Sequence, residues 1–374
     1  MSLRIDKSRS IYITTNVACN LRCVYCYEKD KESLESFDLD SAKTVLSKAL
    51  QKKTKQGTVI NFHGGEPFLS YLKIRQLCEW AWAQDFPENI LFYATTNGTL
   101  IHGEIKNWLE RNKHRFVLGL SLDGTRDMHN RNRSGSFDLI DLDFFVKTWP
   151  YQGVKMTISP LTIGNIADGI IFMHEQGFKE IFANLAEMTE WEDAKYLEQY
   201  REELCKLSTY YLQHPEIKKC SLFDVNFSRV LETHYEKWCG MGNEIEALDI
   251  DGSVHPCHLF FESVCGREKS QLASRLDFSD PAVFVSDECR ECPILNICPT
   301  CAGSNFIMRG DVAKRDMFLC EFTKIRIEEV AKYEYERLVN KDVNLSEVPN
   351  EEKMRALYTL EGIEKLASFL HLTE

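Results

Sequence analysis

Short β-prone runs alternate with amphipathic helical stretches along the first half of the chain, and this alternation restricts its fold most. Helical periodicity occupies segments such as 38–53 and 102–113. The runs rich in β-branched and aromatic residues lie at 10–16, 58–65, 90–98, 116–124, 154–161 and 180–188. Strand–helix units of this kind favour parallel strands joined by right-handed crossovers. The pattern predicts an α/β fold whose six units form a doubly wound sheet or an open barrel.

Polar or glycine-rich motifs follow the first four of these predicted strands. CNLRCVYC (19–26) follows the first, HGGEP (63–67) the second, TTNGT (95–99) the third and SLDG (121–124) the fourth. In barrel-like α/β folds, ligand sites gather at the carboxyl ends of the strands. The motifs are therefore expected to form one site.

Composition and charge exclude several classes of protein. The chain has 374 residues and a net charge of −12, from 45 Lys and Arg against 57 Asp and Glu, with no basic stripe. This disfavours nucleic-acid binding. No apolar run approaches the roughly 20 residues that span a bilayer, and MSLRIDKSRS carries no apolar signal core. We expect a cytoplasmic protein without a membrane partner. Among its 14 cysteines, the clustered ones are expected to bind metal and not to form disulfides, whereas Cys78 and Cys205 are expected to be ordinary buried thiols.

The cysteine triad and the glycine pair suit a metal centre with a bound ligand. Three thiolates can hold a [4Fe–4S] cluster and leave one iron open to an external ligand, although loops of this spacing also bind zinc. Gly64 and Gly65 allow the backbone to approach a ligand closely, or form an ordinary tight turn. Glu66 can accept a hydrogen bond from an ammonium group.

Together with SLDGTRDMHNRNR (121–133), these motifs closely resemble those of the radical S-adenosylmethionine (SAM) superfamily. The resemblance implies a partial (β/α)6 TIM-like barrel in which SAM binds the open iron. Reductive cleavage of SAM then gives a 5′-deoxyadenosyl radical that abstracts a substrate hydrogen. It also implies a reductase partner such as flavodoxin or ferredoxin. The implied cluster ligands are Cys19, Cys23 and Cys26, and the implied SAM-binding residues are Tyr25, Gly64, Gly65, Glu66, Asn97, Ser121 and Arg133.

The C-terminal cysteines resemble those of the SPASM domain, which binds auxiliary iron–sulfur clusters. The resemblance implies an outer cluster on Cys289, Cys292, Cys298 and Cys320 and an inner cluster on Cys239, Cys257 and Cys301. The family usually has three residues before its sixth cysteine, whereas two separate Cys298 from Cys301 here. The inner set is one ligand short. Cys265 or Cys220 could complete it, or the position stays open for a substrate thiolate, which we favour.

These two resemblances divide the chain into a radical SAM core (1–215), a SPASM domain (216–322) and a C-terminal helical tail (323–374). Zinc binding by the cysteine-rich domain is the alternative. A zinc-stabilised interaction module or an iron–sulfur electron carrier would need no SAM site, so an enzyme is the favoured interpretation.

The same resemblance implies a peptide or protein substrate, for a maturase of one of two kinds. The layout resembles that of anaerobic sulfatase maturases, which oxidise Cys or Ser to formylglycine. Two positions depart from their pattern: His63 replaces a glutamine, and His258 replaces the aspartate that serves as general base. His258 is the candidate catalytic residue or a packing residue, and His63 is expected to shape the pocket. We therefore expect a maturase of ribosomally synthesised peptides that forms a thioether or carbon crosslink. Only nine residues precede the first predicted strand, so a separate leader-peptide-binding protein is a possible partner.

Overall fold

The computed structural model describes residues 9–28, 31–33, 35–339, 349–370 and 372. Within these residues the strands are β1 (Arg9–Asn16), β2 (Thr58–Gly64), β3 (Ile90–Thr96), β4 (Phe116–Leu120), β5 (Val154–Ile158), β6 (Ile181–Leu185), β7 (Ile245–Leu248) and β8 (Val254–His255). The α-helices are α1 (Leu39–Ala49), α2 (Tyr71–Trp82), α3 (Gly103–Asn112), α4 (Arg126–Asn132), α5 (Leu142–Thr148), α6 (Ile166–Glu175), α7 (Lys195–Gln213), α8 (Glu262–Cys265), α9 (Arg267–Ala273), α10 (Asp287–Arg290), α11 (Ala302–Arg309), α12 (Met317–Val339) and α13 (Asn350–Leu366).

The first six strands form an open barrel. One sheet has the order β4-β3-β2-β1-β7-β8, and β5 pairs with β6 in a second sheet. The neighbouring strands from β1 to β4 are parallel, as are β5 and β6. A bridge between Ser121 and Lys155 connects the end of β4 to β5. The predicted α/β fold with a partial TIM-like barrel is confirmed.

Successive side chains along the strands point alternately to the hydrophobic core and to the barrel interior. Phe62, Phe92 and Phe116 are fully buried and stack on neighbouring strands, with ring centroids 5.7 to 6.4 Å apart. Burial of each such side chain contributes about 1.5–3 kcal/mol. The residues between them in sequence point the other way, which places Asn61 and Tyr93 inside the barrel.

The C-terminal part packs closely on the barrel. β7 pairs with β1 in parallel, so residues beyond 215 extend the barrel sheet. A second small core gathers Met241, Phe260, Ala273, Phe284, Ala302, Phe306 and Val312. α13 lies against the turn at Phe227–Leu231, where Lys365 Nζ donates to the carbonyl of Val230 (3.0 Å). The domain limits at 215 and 322 remain predictions. No helix among the described residues is long and apolar enough to span a membrane.

Candidate active site

The three N-terminal cysteines lie on the loop that leaves β1. The amide of Val24 donates to the carbonyl of Asn132 (3.0 Å), which fixes this loop against the end of α4. The thiols of Cys19, Cys23 and Cys26 are free and partly exposed. Burial raises the pKa of Cys19 and Cys23. Thiolates here therefore need a nearby cation or a metal.

Gly64 and Gly65 allow the loop after β2 to lie directly on the backbone that leaves β1. Gly64 has a φ of +127°, and a Cβ there would lie 2.0 Å from the carbonyl oxygen of Asn16. A Cβ at Gly65 would lie 2.0 Å from the carbonyl oxygen of Ala18. The amides of Gly65 and Glu66 donate to these same two carbonyls, at 3.0 and 2.8 Å. Close backbone packing thus requires the glycines, and their contact with SAM remains a prediction.

Glu66 and Asn97 connect three of the loops. Glu66 is 1% exposed, and its carboxylate accepts hydrogen bonds from the Asn97 amide and the Thr96 hydroxyl, both at 2.8 Å. The Asn97 side chain donates to Oδ1 of Asn20, in the cysteine loop, at 2.9 Å. Burial raises the pKa of Glu66. The cysteine, HGGEP and TTNGT loops therefore form one hydrogen-bonded unit.

Asp123 organises the opposite side of the cysteine loop. Its fully buried carboxylate accepts hydrogen bonds from the Tyr25 hydroxyl (2.6 Å) and the Thr157 amide (2.9 Å). Nε of Arg133 lies 3.0 Å from the same carboxylate. Nη1 of Arg133 is 4.0 Å from the sulfur of Cys23, so a buried cation faces the cysteine loop.

Ser121 follows β4 at the same end of the barrel. Its amide donates to the carbonyl of Thr96 (2.9 Å), and it is 8% exposed. The predicted SAM-binding residues thus gather at one end of the barrel, on the segments that follow β1 to β4. Their individual contacts with SAM remain predictions.

His63 and His258 form a half-buried pair beside the cysteine loop. Their ring centroids are 4.2 Å apart. The hydroxyl of Tyr27 is 3.0 Å from Nε2 of His63, and Nδ1 of His258 is 3.7 Å from the sulfur of Cys257. The histidines therefore connect the barrel to the C-terminal cysteines.

The surroundings keep both imidazoles neutral. Burial, and then Lys155, lower the pKa of His258 to about 4. Burial, His258 and Lys155 also lower the pKa of His63 well below its ordinary value. A neutral imidazole offers one acceptor nitrogen, so His258 can take a proton. Its catalytic role remains a prediction.

Electrostatic contacts group three of the C-terminal cysteines as the inner set. Burial, Glu187, and then Cys257 and Cys239 raise the pKa of Cys301 to about 12. Burial, and then Cys239, raise the pKa of Cys257 to about 11. These three cysteines are the ones that the SPASM resemblance assigns to the inner cluster.

The other four cysteines form the outer set, in which neighbouring cysteines raise one another's pKa. Burial, and then Cys320 and Cys292, raise the pKa of Cys298 to about 11 against the effect of Arg315. Burial raises the pKa of Cys320, with contributions from Cys292 and Cys289. Nη1 of Arg315 is 2.5 Å from the sulfur of Cys298. Its Nε and Nη2 have no hydrogen-bond partner among the described residues.

Cys265 and Cys220 lie in different surroundings. Cys265 ends α8, and the charged groups that affect its pKa are Lys269 and Glu262. Cys220 is fully buried, and its amide hydrogen-bonds the hydroxyl of Tyr211 (2.9 Å). Neither residue is among the main groups that shift the pKa of Cys257 or Cys301.

Comparison with known proteins shows what the chain is similar to. Residues 13–140 match the Radical SAM superfamily. A cysteine-type anaerobic sulfatase-maturating enzyme of Clostridium perfringens is 24% identical to this chain over 372 residues, which cover 86% of this chain and 95% of that enzyme. A serine-type enzyme of this kind from Klebsiella aerogenes is 30% identical over 127 residues, covering 32% of this chain and 31% of that enzyme.

Two solved structures share its fold. The structure of anSMEcpe with bound AdoMet and a Cp18Cys peptide has a TM-score of 0.67 at 20% identity, covering 88% of this chain and 98% of that one. The structure of Streptococcus suis SuiB bound to the precursor peptide SuiA has a TM-score of 0.54 at 18% identity. It covers 83% of this chain and 76% of that chain. The predicted similarity to radical SAM proteins is confirmed, and with it SAM and iron–sulfur clusters as the cofactors typical of that family.

The residues present fit these groups. The triad lies on one anchored loop beside the cation of Arg133, and the cation of Arg315 contacts the sulfur of Cys298 in the outer set. Among the described residues, no three His, Cys, Asp or Glu side chains are close enough to bind a single metal ion. A [4Fe–4S] cluster distributes its thiolates over different irons, so this finding concerns mononuclear sites.

Several site residues were not predicted from the sequence. Tyr27 directly follows the cysteine motif, and Asp123 lies inside the SLDG motif, so position along the chain could have indicated both. Lys155, Glu187 and Arg315 carry no comparable signal. They reach the site only through tertiary packing.

Proposed function

We propose that the chain is a radical SAM maturase that crosslinks a peptide, joining a cysteine sulfur or a carbon atom to a neighbouring residue. The observation that supports this choice is the inner set of three cysteines, with Cys265 and Cys220 in other surroundings. A [4Fe–4S] cluster held only by protein usually has four thiolate ligands. An inner set of three leaves a place for the thiolate of a cysteine in the substrate.

The residues of the chain position and shield this chemistry. Bound SAM and a reduced cluster supply a 5′-deoxyadenosyl radical, which abstracts the hydrogen atom. Arg133 and Asp123 hold the cysteine loop, and Tyr27 and His63 close the wall beside it. His258 accepts a proton from the substrate at its free nitrogen. Electrons come from a flavodoxin or ferredoxin, and a separate protein can present the leader peptide.

Anaerobic co-expression tests this reaction. The chain is expressed with short cysteine-containing peptides encoded beside its gene, and peptide masses are measured. Loss of two hydrogens, together with a thiol that no longer alkylates, is the expected result. Cys23→Ala should abolish it, whereas Cys205→Ser, on the exposed side of α7, should not. If none of the peptides encoded beside the gene is modified, the proposal is contradicted.

Oxidation to formylglycine is the second candidate. The alignment that covers 86% of this chain and 95% of the Clostridium perfringens enzyme favours it. The test uses a sulfatase peptide that carries Cys or Ser at the target position. Conversion of that residue to formylglycine, with no crosslink in any neighbouring peptide, would assign this reaction and replace the first proposal.

A further inference from the structure

A cavity of about 760 Å³ lies inside the barrel. Residues that point inward from five strands line it, namely Tyr12, Asn61, Tyr93, Lys155 and Phe182. His63 follows Asn61 by two residues on the same face of β2, so the histidine pair lies directly beyond this layer. The cavity therefore adjoins the site where we expect the reaction.

Lys155 brings a positive charge into this cavity. Its Nζ donates to the hydroxyl of Thr95 (3.1 Å) and lies 5.6 Å from the ring centroid of Tyr93. Both partners are neutral. No ion pair of Lys155 with a carboxylate is present among the described residues. Lys155 bridges Ser121 at the end of β4, and the ring of Tyr12, which lines the same cavity, lies 6.1 Å from the rings of both His63 and His258.

The other lysines of the cavity have acidic partners. Lys218 forms an ion pair with Glu180, and Lys219 with Glu334. Lys155 thus differs from them in having a hydroxyl and an aromatic ring as its partners. Its side chain is exposed to the solvent of the cavity, so a carboxylate supplied by a ligand can reach it and form a charge-assisted hydrogen bond.

We propose that the barrel interior binds a side-chain carboxylate of the peptide substrate, with Lys155 as its ion-pair partner. The inference rests on the proposed function and narrows its substrate class: the peptide carries Asp or Glu close to the residue that is modified. Recognition next to the histidine pair would orient that residue.

The test measures selective binding on the reconstituted protein with SAM. An equimolar pool of N-acetylated, C-amidated Gly-Cys-Gly-Xaa-Gly peptides is incubated anaerobically, and the retained peptides are quantified by mass spectrometry. Peptides with Asp or Glu should be retained about tenfold or more over those with Asn or Gln. Lys155→Met should remove this preference, and Lys155→Arg should keep it. Lys218→Met removes the same charge from the same cavity and should leave the preference intact.

Two results would overturn the proposal. One is equal retention of acidic and amide peptides by the unaltered protein. The other is an acidic preference that persists in Lys155→Met. Formation of 5′-deoxyadenosine in the same samples separates this proposal from the proposed function. A Lys155-dependent preference without SAM cleavage would support the binding site and contradict the reaction. Peptide modification without an acidic preference would support the reaction and contradict the binding site.

Discussion

The imidazole rings of His63 and His258 lie against each other, with centroids 4.2 Å apart, although they come from opposite halves of the chain. His63 lies near the carboxyl end of β2, and His258 follows Cys257. They are also the two positions at which the sequence departs from the sulfatase-maturase pattern. Their contact means that the two departures form one local change, in which each histidine is part of the other's environment.

Replacement of His258 tests whether this pair handles a proton. His258→Ala should lower the rate of peptide modification about a hundredfold, because a positioned acid–base group contributes roughly 10²–10⁴-fold. The measurement is product formed per 5′-deoxyadenosine released. A base that acts after hydrogen abstraction should lower this ratio, whereas a loss of SAM binding would lower both quantities together.

The matched control is His174→Gln. His174 lies on α6 and is hydrogen-bonded to the hydroxyl of Tyr211 (3.1 Å), which also accepts from the amide of Cys220, a cysteine outside the three predicted cluster sets. This variant should form as much product per 5′-deoxyadenosine released as the unaltered protein does. If His258→Ala also retains it, His258 is a packing residue.

Cys23 should be essential for the first cluster. Cys23→Ala removes one of the three thiolates on the β1 loop, so iron content should fall by about four of roughly twelve atoms per chain. Iron and sulfide analysis after anaerobic reconstitution measures this. Cys205→Ser should keep the full content. Zinc in place of iron in the unaltered protein would contradict the cluster assignment.

Much of the barrel could be predicted, because local pattern decides it. The runs of β-branched and aromatic residues in β1 to β6 and the motifs that follow β1 to β4 depend on neighbouring residues, and the structure places those strands within a few residues of the predicted limits. Lys155 could not be assigned in this way. A lysine inside a β-prone run is compatible with a solvent-facing position, and only barrel closure brings it beside Thr95.

The same limit applies to the cysteines. Spacing alone leaves Cys265 and Cys220 as equal candidates for the inner set, since both lie near it in sequence. Their separation from it follows from the packing of Cys220 behind Tyr211 and from the position of Cys265 at the end of α8. Such contacts depend on tertiary structure.

Asp123 should be critical for stability as well as for the site. Asp123→Asn leaves the buried guanidinium of Arg133 without its counter-charge, and loss of one partner of a buried pair typically costs about 3–5 kcal/mol. The free energy of unfolding from urea titration measures this. Asp127→Asn is the matched substitution on α4, in an exposed pair with Arg131, and should cost less than about 1 kcal/mol. Equal effects would contradict the assigned role of Asp123.

His129 should make the stability of the protein depend on pH. It is fully buried; its Nδ1 accepts a hydrogen bond from the Asp123 amide (3.3 Å), and its Nε2 is 3.1 Å from the Ser136 hydroxyl. Burial, and then Arg133, lower its pKa from 6.5 to about 4. The unfolded chain therefore binds the proton more readily than the folded one between these values.

This stabilisation is complete above pH 6.5 and is lost as the pH falls toward 4. The difference corresponds to at most about 3 kcal/mol. Urea unfolding at pH 7.5 and at pH 5 measures the loss. His129→Gln should reduce the loss of stability between these two pH values by about 2 kcal/mol, because one proton contributes about 1.4 kcal/mol for each pH unit below 6.5. His214→Gln, at the partly exposed end of α7, should leave the slope unchanged. An unchanged slope in His129→Gln would show that this histidine titrates alike in the folded and unfolded chain.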